Sequence, residues 1–397
     1  MQPFEDVDVL DLTQSIAGPV CTQMLAVLGA NVVKVEPPGG DAFRDLVGGS
    51  IFAAFNHGPK RSLAVDLKSD AGAETVRDLA ERADVVVESF RPGVLERFDL
   101  DYESVSARNE SVVYCSLTGF GQDGPYSDYP AYDPVIQAMS GLMSIIGYPD
   151  RPPARIGASV IDCTTGANAA FMVSAALHEV DRTGTGEHID ISLFDVAVSW
   201  MSYWIANYSA TDEVPTRSGS GFNGIAPNDI YYAGQDESDP VYVCAVDDRL
   251  YERLCRAIDR EDLLEDERFV DNDTRWEHRE TLRDTLESTF REYDRDELVE
   301  RLTDSGVPAG PLKDVPEVIE DRHVTERGML DHARNLTVGT DVTVSRLPIR
   351  TTEWVPEPGE HPPQVGEHTR EVLREFGYDD DEIEALREGE AVFPTVE

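Results

Sequence analysis

Asp162 is the residue of this chain whose type and setting could do chemistry. It comes just before Thr164, Thr165 and Gly166, and the apolar segment that follows predicts a helix over 164–179. In that setting we expect the aspartate to cap the helix. A helix N-terminus also stabilises an ionised carboxylate, so the same side chain could act as a nucleophile at neutral pH. The two roles are compatible.

A second segment that could take part in chemistry is 218–224, which contains Gly219 and Gly221. Glycines present backbone N–H groups at little steric cost, and such groups stabilise the oxyanions that form during acyl transfer. The same composition is typical of a flexible linker between domains. Both interpretations stay open at the level of sequence.

No pattern in the sequence is typical of a metal site or a nucleotide-binding loop. The eight histidines show no ligand spacing, and carboxylate density says little in so acidic a chain. Phosphate-binding loops and the serine nucleophile motif of hydrolases are absent. Cys163 stands beside Asp162, but no histidine lies near it in sequence, so we interpret it as a packing residue. We predict no metal and no tightly bound cofactor.

The elements that must position these residues alternate between strand and helix over 1–200. The apolar runs at 7–12, 32–36, 84–88 and 112–117 predict strands buried on both faces, with helical patterns between them. This alternation predicts an α/β fold with a large parallel, Rossmann-like sheet. We assign 1–205 and 329–397 to a large domain, 206–223 to a linker or glycine loop, and 224–328 to a smaller α/β domain.

The composition is strongly acidic. The 397 residues include 77 acidic and 34 basic ones, for a formal net charge of −43, and only four of the basic residues are lysines. A surface built to bind cations or basic partners is one interpretation. The acids are scattered through the folded pattern, so we favour adaptation to concentrated salt, in which carboxylates keep the protein hydrated. No basic stripe is present to neutralise phosphates, so we expect no nucleic-acid partner.

The sequence also bears on the compartment. The N-terminus lacks the pattern of a signal peptide, and no apolar run of about 18 residues predicts a membrane span. The five cysteines are odd in number and form no CxxC pair, which favours reduced thiols. We therefore expect a cytoplasmic protein without a membrane partner.

Motifs along nearly the whole chain occur in a characteristic order. They lie at 9–19 (VLDLTQSIAGP), 28–41, 60–68 (KRSLAVDLK), 84–94 (DVVVESFRPGV), 118–138, 162–193, 307–311 and 366–373. Together they resemble the class III CoA-transferases, the formyl-CoA/oxalate and carnitine CoA-transferase type. The resemblance implies the fold predicted above, assembled as an interlocked homodimer.

The resemblance also implies a reaction. Asp162 matches the position of the family's nucleophile, which attacks an acyl-CoA donor and then carries CoA as an aspartyl thioester. Coenzyme A would thus be part of the substrate, and the expected partners are an acyl-CoA, a carboxylic acid and a second copy of the chain. Residues implied to contact CoA are Ile16, Ala17, Val65, Asp66, Leu67, Lys68, Ser89, Phe90, Arg91 and Arg97.

Tyr132 and Asp133 distinguish between activities within the family's architecture. Related 2-methylacyl-CoA racemases need a histidine base at the first of these positions, and tyrosine is a poor base near neutral pH. We therefore expect transfer, with Tyr132, Asp133, Gly219 and Gly221 as supporting residues. The alternatives are the racemase and a non-catalytic CoA-binding protein.

The substrates are inferred from the range of acids that the family uses. We favour succinyl-CoA as donor and a C4–C5 dicarboxylate such as mesaconate as acceptor. Arg44 and Arg155 could pair with the distal carboxylate, although surface ion pairs are the more ordinary role for such arginines. Lys60 and Lys68 fall in one motif, and we consider both for the phosphates of CoA.

Overall fold

The structure is a computed structural model that describes residues 2–234, 239–335, 339–352, 354 and 361–395. The chain divides into two compact units. The first contains Met1–Leu142, Ile156–Ala206 and Arg322–Glu397, and the second contains Met143–Arg155 and Asn207–Asp321. Residues 143–155 thus belong with the second unit, although the large sheet surrounds them in sequence.

The centre of the first unit is a parallel sheet. Its six strands follow the order β3-β2-β1-β4-β5-β6. The strands are β1 (Asp8–Leu12), β2 (Asn31–Glu36), β3 (Lys60–Ala64), β4 (Val85–Glu88), β5 (Val113–Thr118) and β6 (Glu187–Ser192). Leu10 pairs with Val33 on one side and with Val86 on the other. From β1 the sheet extends through β2 and β3 on one side and through β4, β5 and β6 on the other. Because the strand order reverses between β1 and β4, a crevice forms at the carboxyl ends of these two strands. The predicted α/β fold class is confirmed.

Helices connect these strands and cover the sheet. They are α1 (Ala17–Val27), α2 (Ser50–Asn56), α3 (Asp70–Arg82), α4 (Tyr102–Ser106), α5 (Asp133–Met139), α6 (Val160–Thr183) and α7 (Leu193–Trp200), followed by α8 (Ser202–Thr211). Short 3₁₀ helices lie at Leu95–Phe98 and Leu142–Ile145. The strands bury apolar side chains such as Leu63, Val86 and Val113, none of which is measurably exposed.

Helix α6 determines where Asp162 lies. Gly166 lets it approach α1 closely, since a Cβ at this position would be 2.3 Å from the carbonyl oxygen of Ala17. By length and composition α6 is apolar enough to cross a membrane. Its residues Ile161, Ala169 and Val173 are buried in the first unit, whereas Phe171 and Met172 on another face are exposed.

The second unit contains an antiparallel sheet covered by helices. Its strands, in the order β7-β8-β9, are β7 (Asn228–Tyr232), β8 (Pro240–Cys244) and β9 (Ala309–Pro311). Its helices are α9 (Asp248–Ala257), α10 (Asn272–Glu277), α11 (Arg279–Phe290), α12 (Arg295–Asp304) and α13 (Val315–Ile319), with a 3₁₀ turn at Glu261–Leu264. Val243, Leu254, Leu286 and Phe290 form its apolar core.

The last part of the chain returns to the first unit. It contains α14 (Arg322–Glu326), a hairpin of β10 (Leu330–Asn335) and β11 (Thr340–Ser345), then α15 (Thr369–Glu375) and α16 (Asp380–Glu388). Val372, Leu373 and Ile383 join the core on the side of β3. The return segment thereby completes the hydrophobic core of the parallel sheet.

Candidate active site

A cavity of about 440 Å³ opens at the carboxyl ends of the parallel strands. Residues that follow successive strands form its wall, and all of them lie in the first unit. Ser15 follows β1, Phe43 follows β2, Ser89 follows β4, Gly119 follows β5 and Leu193 follows β6. This is the crevice in which open α/β sheets bind their ligands.

Asp162 lies in the wall of this cavity and is only 8% exposed. The prediction that it caps its helix was wrong, because α6 begins at Val160 and Asp162 is its third residue. Asp133 from α5 takes the capping role: its Oδ2 accepts the backbone N–H groups of Ile161 at 2.9 Å and of Asp162 at 3.3 Å. The backbone at the start of α6, which carries Asp162, is thus fixed from a neighbouring helix.

Asp133 is itself held by one further side chain. Gln137 Nε2 donates to Asp133 Oδ1 at 2.5 Å, and Gln137 Oε1 accepts the N–H of Ile156 at 2.9 Å. Asp133 and Gln137 are both buried, at 1% and 0% exposed. Such a saturated buried pair is rigid because any movement would leave a buried polar group unpaired.

The electrostatics of Asp162 differ from the sequence-based expectation of a carboxylate that is readily ionised at neutral pH. Burial, and then the nearby charge of Asp133, raises the pKa of Asp162 to about 7. Both effects disfavour the charged form, and they outweigh the stabilisation from the helix N-terminus. A nucleophilic role for Asp162 would therefore fail progressively as the pH falls below neutrality.

Replacing Asp133 with asparagine should shift this pH dependence. The asparagine oxygen can still accept one of the two N–H groups, but the negative charge that raises the Asp162 pKa is gone. We expect the acidic limb of the transfer rate to move to lower pH than in the unchanged protein. Asp133→Ala should in addition lose about 1 kcal/mol of stability because the cap is removed. The measurement is a pH–rate profile with thermal unfolding; an unmoved acidic limb in Asp133→Asn would contradict the coupling.

Some of the other site residues predicted from the sequence line this cavity, and the rest lie elsewhere in the fold. Ala17, Ser89, Phe90, Arg91 and Tyr132 line it together with Asp162. Ile16 is buried in the turn that precedes α1. Arg97 lies in the 3₁₀ helix Leu95–Phe98, outside the residues found to line the cavity.

The segment of Val65, Asp66, Leu67 and Lys68 follows β3 and contacts the end of the chain. Val65 forms a bridge with Val392, and the N–H of Asp66 donates to the carbonyl of Ala391. Asp66 Oδ1 accepts the N–H of Lys68, which fixes the turn. These four residues are likewise outside the cavity wall around Asp162.

Gly219 and Gly221 belong to the second unit. The N–H of Gly219 donates to the carbonyl of Gly147, so that amide is engaged within the unit. Gly221 lines a separate cavity of about 530 Å³ with Phe222, Trp276 and other residues of the same unit. Gly219 has a φ of 69° and no room for a side chain beside Tyr148, which explains the glycine there.

Sequence reasoning missed part of the wall that follows β1. Gln14 and Ser15 line the cavity, and Ser15 has the unusual φ of 69° for a residue other than glycine. The N–H of Gln14 donates to Ser89 Oγ at 2.9 Å, which joins the turns after β1 and β4. Their position just beyond a buried strand was the available signal.

Two cations that the sequence offered for ligand binding are engaged inside the fold. Lys60 Nζ donates to Asn56 Oδ1 at 3.0 Å and lies 3.6 Å from Asp11, with its side chain fully buried. Arg44 forms two hydrogen bonds with Glu36, at 2.7 and 2.5 Å. Both residues hold the protein together, and neither lines the cavity.

A buried ionic network stabilises two of the turns that form the cavity wall. Lys34 Nζ donates to the carbonyl of Thr13 at 2.8 Å and lies 3.2 Å from Asp41, and both side chains are almost wholly buried. Asp41 Oδ1 accepts the N–H of Phe43, a residue of the cavity wall. Lys34 therefore anchors the turns after β1 and β2 at the same time.

The described part of the chain holds no group of three or more histidine, cysteine, aspartate or glutamate side chains placed to bind a metal ion. The chemistry that this site offers is that of its own side chains. A buried carboxylate lies beside a cavity that an acyl group could enter, and three serines, two tyrosines and one arginine also line it. This combination suits nucleophilic attack on an activated carbonyl.

The sequence and the fold are similar to those of known proteins. The model of CoA-transferase family III matches residues 4–369, and the chain belongs to that family and is a CoA-transferase. A succinyl-CoA:mesaconate CoA-transferase from Haloarcula hispanica is 36% identical over 95% of this chain and 97% of its own length. A succinate–glutarate CoA-transferase from Agrobacterium fabrum is 36% identical over 91% and 94%. The crystal structure of a CAIB/BAIF family protein from Brucella suis superposes with a TM-score of 0.85, at 34% identity, over 94% of this chain and 99% of that one.

Proposed function

We propose that this enzyme moves CoA from succinyl-CoA to a small dicarboxylic acid through a covalent intermediate on Asp162. The observation that carries the proposal is the position of Asp162, whose carboxylate is buried in the wall of the crevice and whose backbone N–H donates to Asp133. A nucleophile must be reachable from the ligand cavity and must lie on a well-positioned element, and Asp162 meets both conditions in the capped first turn of α6.

The reaction proceeds by exchange between anhydrides and thioesters. The Asp162 carboxylate attacks the thioester carbonyl of the donor, and the CoA thiolate leaves to give a mixed anhydride. The thiolate then attacks the aspartyl carbonyl, which releases the donor acid and forms an aspartyl-CoA thioester. The acceptor carboxylate attacks that thioester and expels the thiolate again. Finally the thiolate attacks the acyl carbonyl of the second anhydride, which gives the new acyl-CoA and restores Asp162.

Other residues of the cavity have supporting roles in this proposal. Arg91 brings a positive charge to the wall and suits the phosphates of CoA, with Ser89 and Phe90 beside it. Backbone N–H groups near the cavity would stabilise the oxyanion of each tetrahedral intermediate. Tyr132 is 65% exposed and lines the same cavity, where it can contact a bound acyl group.

The racemase alternative needs a base that removes a proton next to the thioester carbonyl. Among the described residues that line the cavity there is no histidine, and Tyr132 stands where the racemases need one. A non-catalytic role would not explain why a carboxyl group, which is costly to bury, lies in the cavity wall at Asp162. Transfer is therefore the reaction that the site supports best.

The choice of substrates rests on relatives. The Haloarcula protein is named for succinyl-CoA and mesaconate, and the Agrobacterium protein for succinate and glutarate. Both names pair the C4 acid succinate, or its CoA ester, with a C5 dicarboxylate, so we propose the same two classes of substrate for this chain. Because Arg44 is bonded to Glu36, we no longer assign it to the distal carboxylate of the acceptor.

The test is an acceptor panel with succinyl-CoA as donor, followed by chromatography of the CoA esters. Mesaconate, glutarate, citramalate and oxalate are compared in concentrated KCl, since we propose that the net charge of −43 reflects adaptation to salt. Formation of a new dicarboxylyl-CoA supports the proposal. Deuterium exchange at the α-carbon of a 2-methylacyl-CoA, without any transfer, would favour the racemase instead.

We also propose that the enzyme is a cytoplasmic homodimer. The first unit exposes large apolar side chains on α6 and α7, such as Phe171 at 69% and Trp200 at 37%, with Tyr203 at 56% and Ile205 at 50% in the following helix. Exposed apolar residues in this number are typical of surfaces that a partner covers. All five cysteines are free, in keeping with a reducing compartment.

The proposed dimer can be tested by measuring the molecular mass in solution. Light scattering in concentrated KCl should give twice the chain mass of 43.9 kDa. Replacing Phe171 with aspartate should shift the mass toward that of one chain, because a charge on this face opposes its burial. A matched Glu179→Asp change, on the exposed part of the same helix, should leave the mass unchanged. A monomer in the unchanged protein would contradict the proposal.

A further inference from the structure

Glu88 is a buried carboxylate that the proposed reaction does not use. It ends β4, is 4% exposed, and stands directly before Ser89, Phe90 and Arg91 of the cavity wall. Its Oε2 accepts the backbone N–H of Phe90 at 2.7 Å. This bond closes a tight turn, so the direction of the three wall residues depends on the Glu88 carboxylate.

The turn is also tied to the neighbouring strand connection. Ser89 Oγ accepts the N–H of Gln14, so whatever fixes the turn after β4 also fixes the turn after β1. Glu88 does not line the cavity, but it stabilises the turn after β4 and, through Ser89, the turn after β1. It can therefore affect a ligand only through the wall residues in these two turns.

Two polar side chains lie beside Glu88 on the neighbouring strands. Ser116 lowers the pKa of Glu88, and Ser116 Oγ lies 3.0 Å from His188 Nε2. His188 stacks on Tyr102 with ring centroids 4.6 Å apart, which fixes the imidazole. The Ser116 hydroxyl can donate or accept, so it can orient toward an ionised Glu88 while it accepts from His188.

The charges that face Glu88 make its ionisation sensitive to pH. Burial above all, with the charge of Asp190 on β6 as a smaller contribution, raises the pKa of Glu88 to about 7, against the opposing bonds from Ser116 and Phe90. On β5, burial raises the pKa of both Tyr114 and Cys115, so neither carries charge near neutral pH. The burial of His188 lowers its pKa despite Asp190, Glu103 and Glu187 nearby, and the ring is therefore mainly neutral.

We infer that Glu88 is a positioning residue for CoA: its ionised form holds the turn 89–91 in the geometry that binds CoA, and its protonated form holds that turn less firmly. The inference rests on the proposed function, since it assumes that Ser89, Phe90 and Arg91 contact CoA. A hydrogen bond to a charged acceptor is stronger than one to a neutral acceptor, so ionised Glu88 keeps the Phe90 N–H more firmly in place. CoA should thus bind more tightly above neutral pH than below it.

The experiment is calorimetric titration of the full-length protein with coenzyme A between about pH 6 and about pH 8.5. We expect the affinity of the unchanged protein, relative to Glu88→Gln, to rise about 5-fold through neutrality, because glutamine keeps the acceptor but cannot ionise. Comparison with the variant cancels the titration of CoA itself and of Asp162. Glu81→Gln, an exposed change of the same type on α3, should behave as the unchanged protein at every pH.

A second variant tests the influence of Ser116. Ser116 lowers the Glu88 pKa, so Ser116→Ala should raise that pKa and move the midpoint of the affinity change to higher pH. A purely structural role for Glu88 would weaken binding by one factor at all pH values, and that result would overturn the inference. An affinity in Glu88→Gln that follows the unchanged protein throughout would overturn it as well. If the unchanged protein does not bind coenzyme A at all, the proposed function fails, and the inference fails with it.

Discussion

Replacing Asp162 with asparagine is expected to lower the rate of CoA transfer at least about 10³-fold, because the amide cannot form the anhydride. The side chains have nearly the same shape, and none of the described residues donates a hydrogen bond to the Asp162 carboxylate whose loss would unfold the helix. Its backbone N–H still donates to Asp133 in the variant. Coenzyme A should therefore still bind, with an affinity within a few fold of the unchanged protein, since the turn 89–91 is untouched.

Asp195 offers a matched control for this change. It too lies in the first turn of a helix, α7, but it is exposed and outside the cavity wall. Asp195→Asn should keep nearly full transfer activity. Steady-state kinetics with succinyl-CoA and the best acceptor compare the three proteins. Turnover by Asp162→Asn at a rate similar to that of Asp195→Asn would exclude Asp162 as the nucleophile.

Replacing Lys34 with methionine is expected to destabilise the protein by about 3–5 kcal/mol, the usual effect of removing one partner of a buried ion pair. Lys34 is 0% exposed, and its loss leaves Asp41 buried without its cation. It also leaves the carbonyl of Thr13 without its donor. Because Asp41 holds Phe43 in the cavity wall, the variant should also bind CoA more weakly.

Lys313 is the comparison for Lys34. It pairs with Asp321 at the surface, where its side chain is 34% exposed, and exposed pairs contribute only about 0–1 kcal/mol. Lys313→Met should thus unfold nearly as the unchanged protein does in a urea titration at constant salt. The double change Lys34→Met with Asp41→Asn should recover part of the lost stability, since no unpaired charge remains. Equal effects of Lys34→Met and Lys313→Met would show that the buried network contributes little.

The fold was predictable because its signals are local. Apolar runs such as 84–88, with helical periodicity between them, already predict a parallel sheet, and six parallel strands are found. The strand order was not predictable from these runs, since it depends on which strands pair over long distances. Helix α6 shows the limit at an element boundary: the sequence indicated a start near 164, and Asp133, distant in sequence, caps it at Val160.

The site was predictable in its centre and less so in its surroundings. The motif resemblance led to Asp162 and to the 89–91 turn, and these residues share one cavity. The ionisation of Asp162 was not predictable, since burial and the charge of Asp133 exist only in the folded chain. Lys60 illustrates the same point, because a basic residue in a motif is equally suited to a phosphate and to a buried aspartate. Only the distance to Asp11 separates the two.

The most direct test of the account is to trap the intermediate on Asp162. The protein is incubated with succinyl-CoA in concentrated KCl, treated with hydroxylamine or borohydride, digested and examined by mass spectrometry. Hydroxylamine converts an activated carboxyl group into a hydroxamate, and borohydride reduces a thioester to an alcohol, so each reagent marks the residue that carried CoA. We predict modification of the peptide that contains Asp162, dependent on succinyl-CoA and absent in Asp162→Asn. An unmodified Asp162 in a protein that transfers CoA under the same conditions would contradict the account.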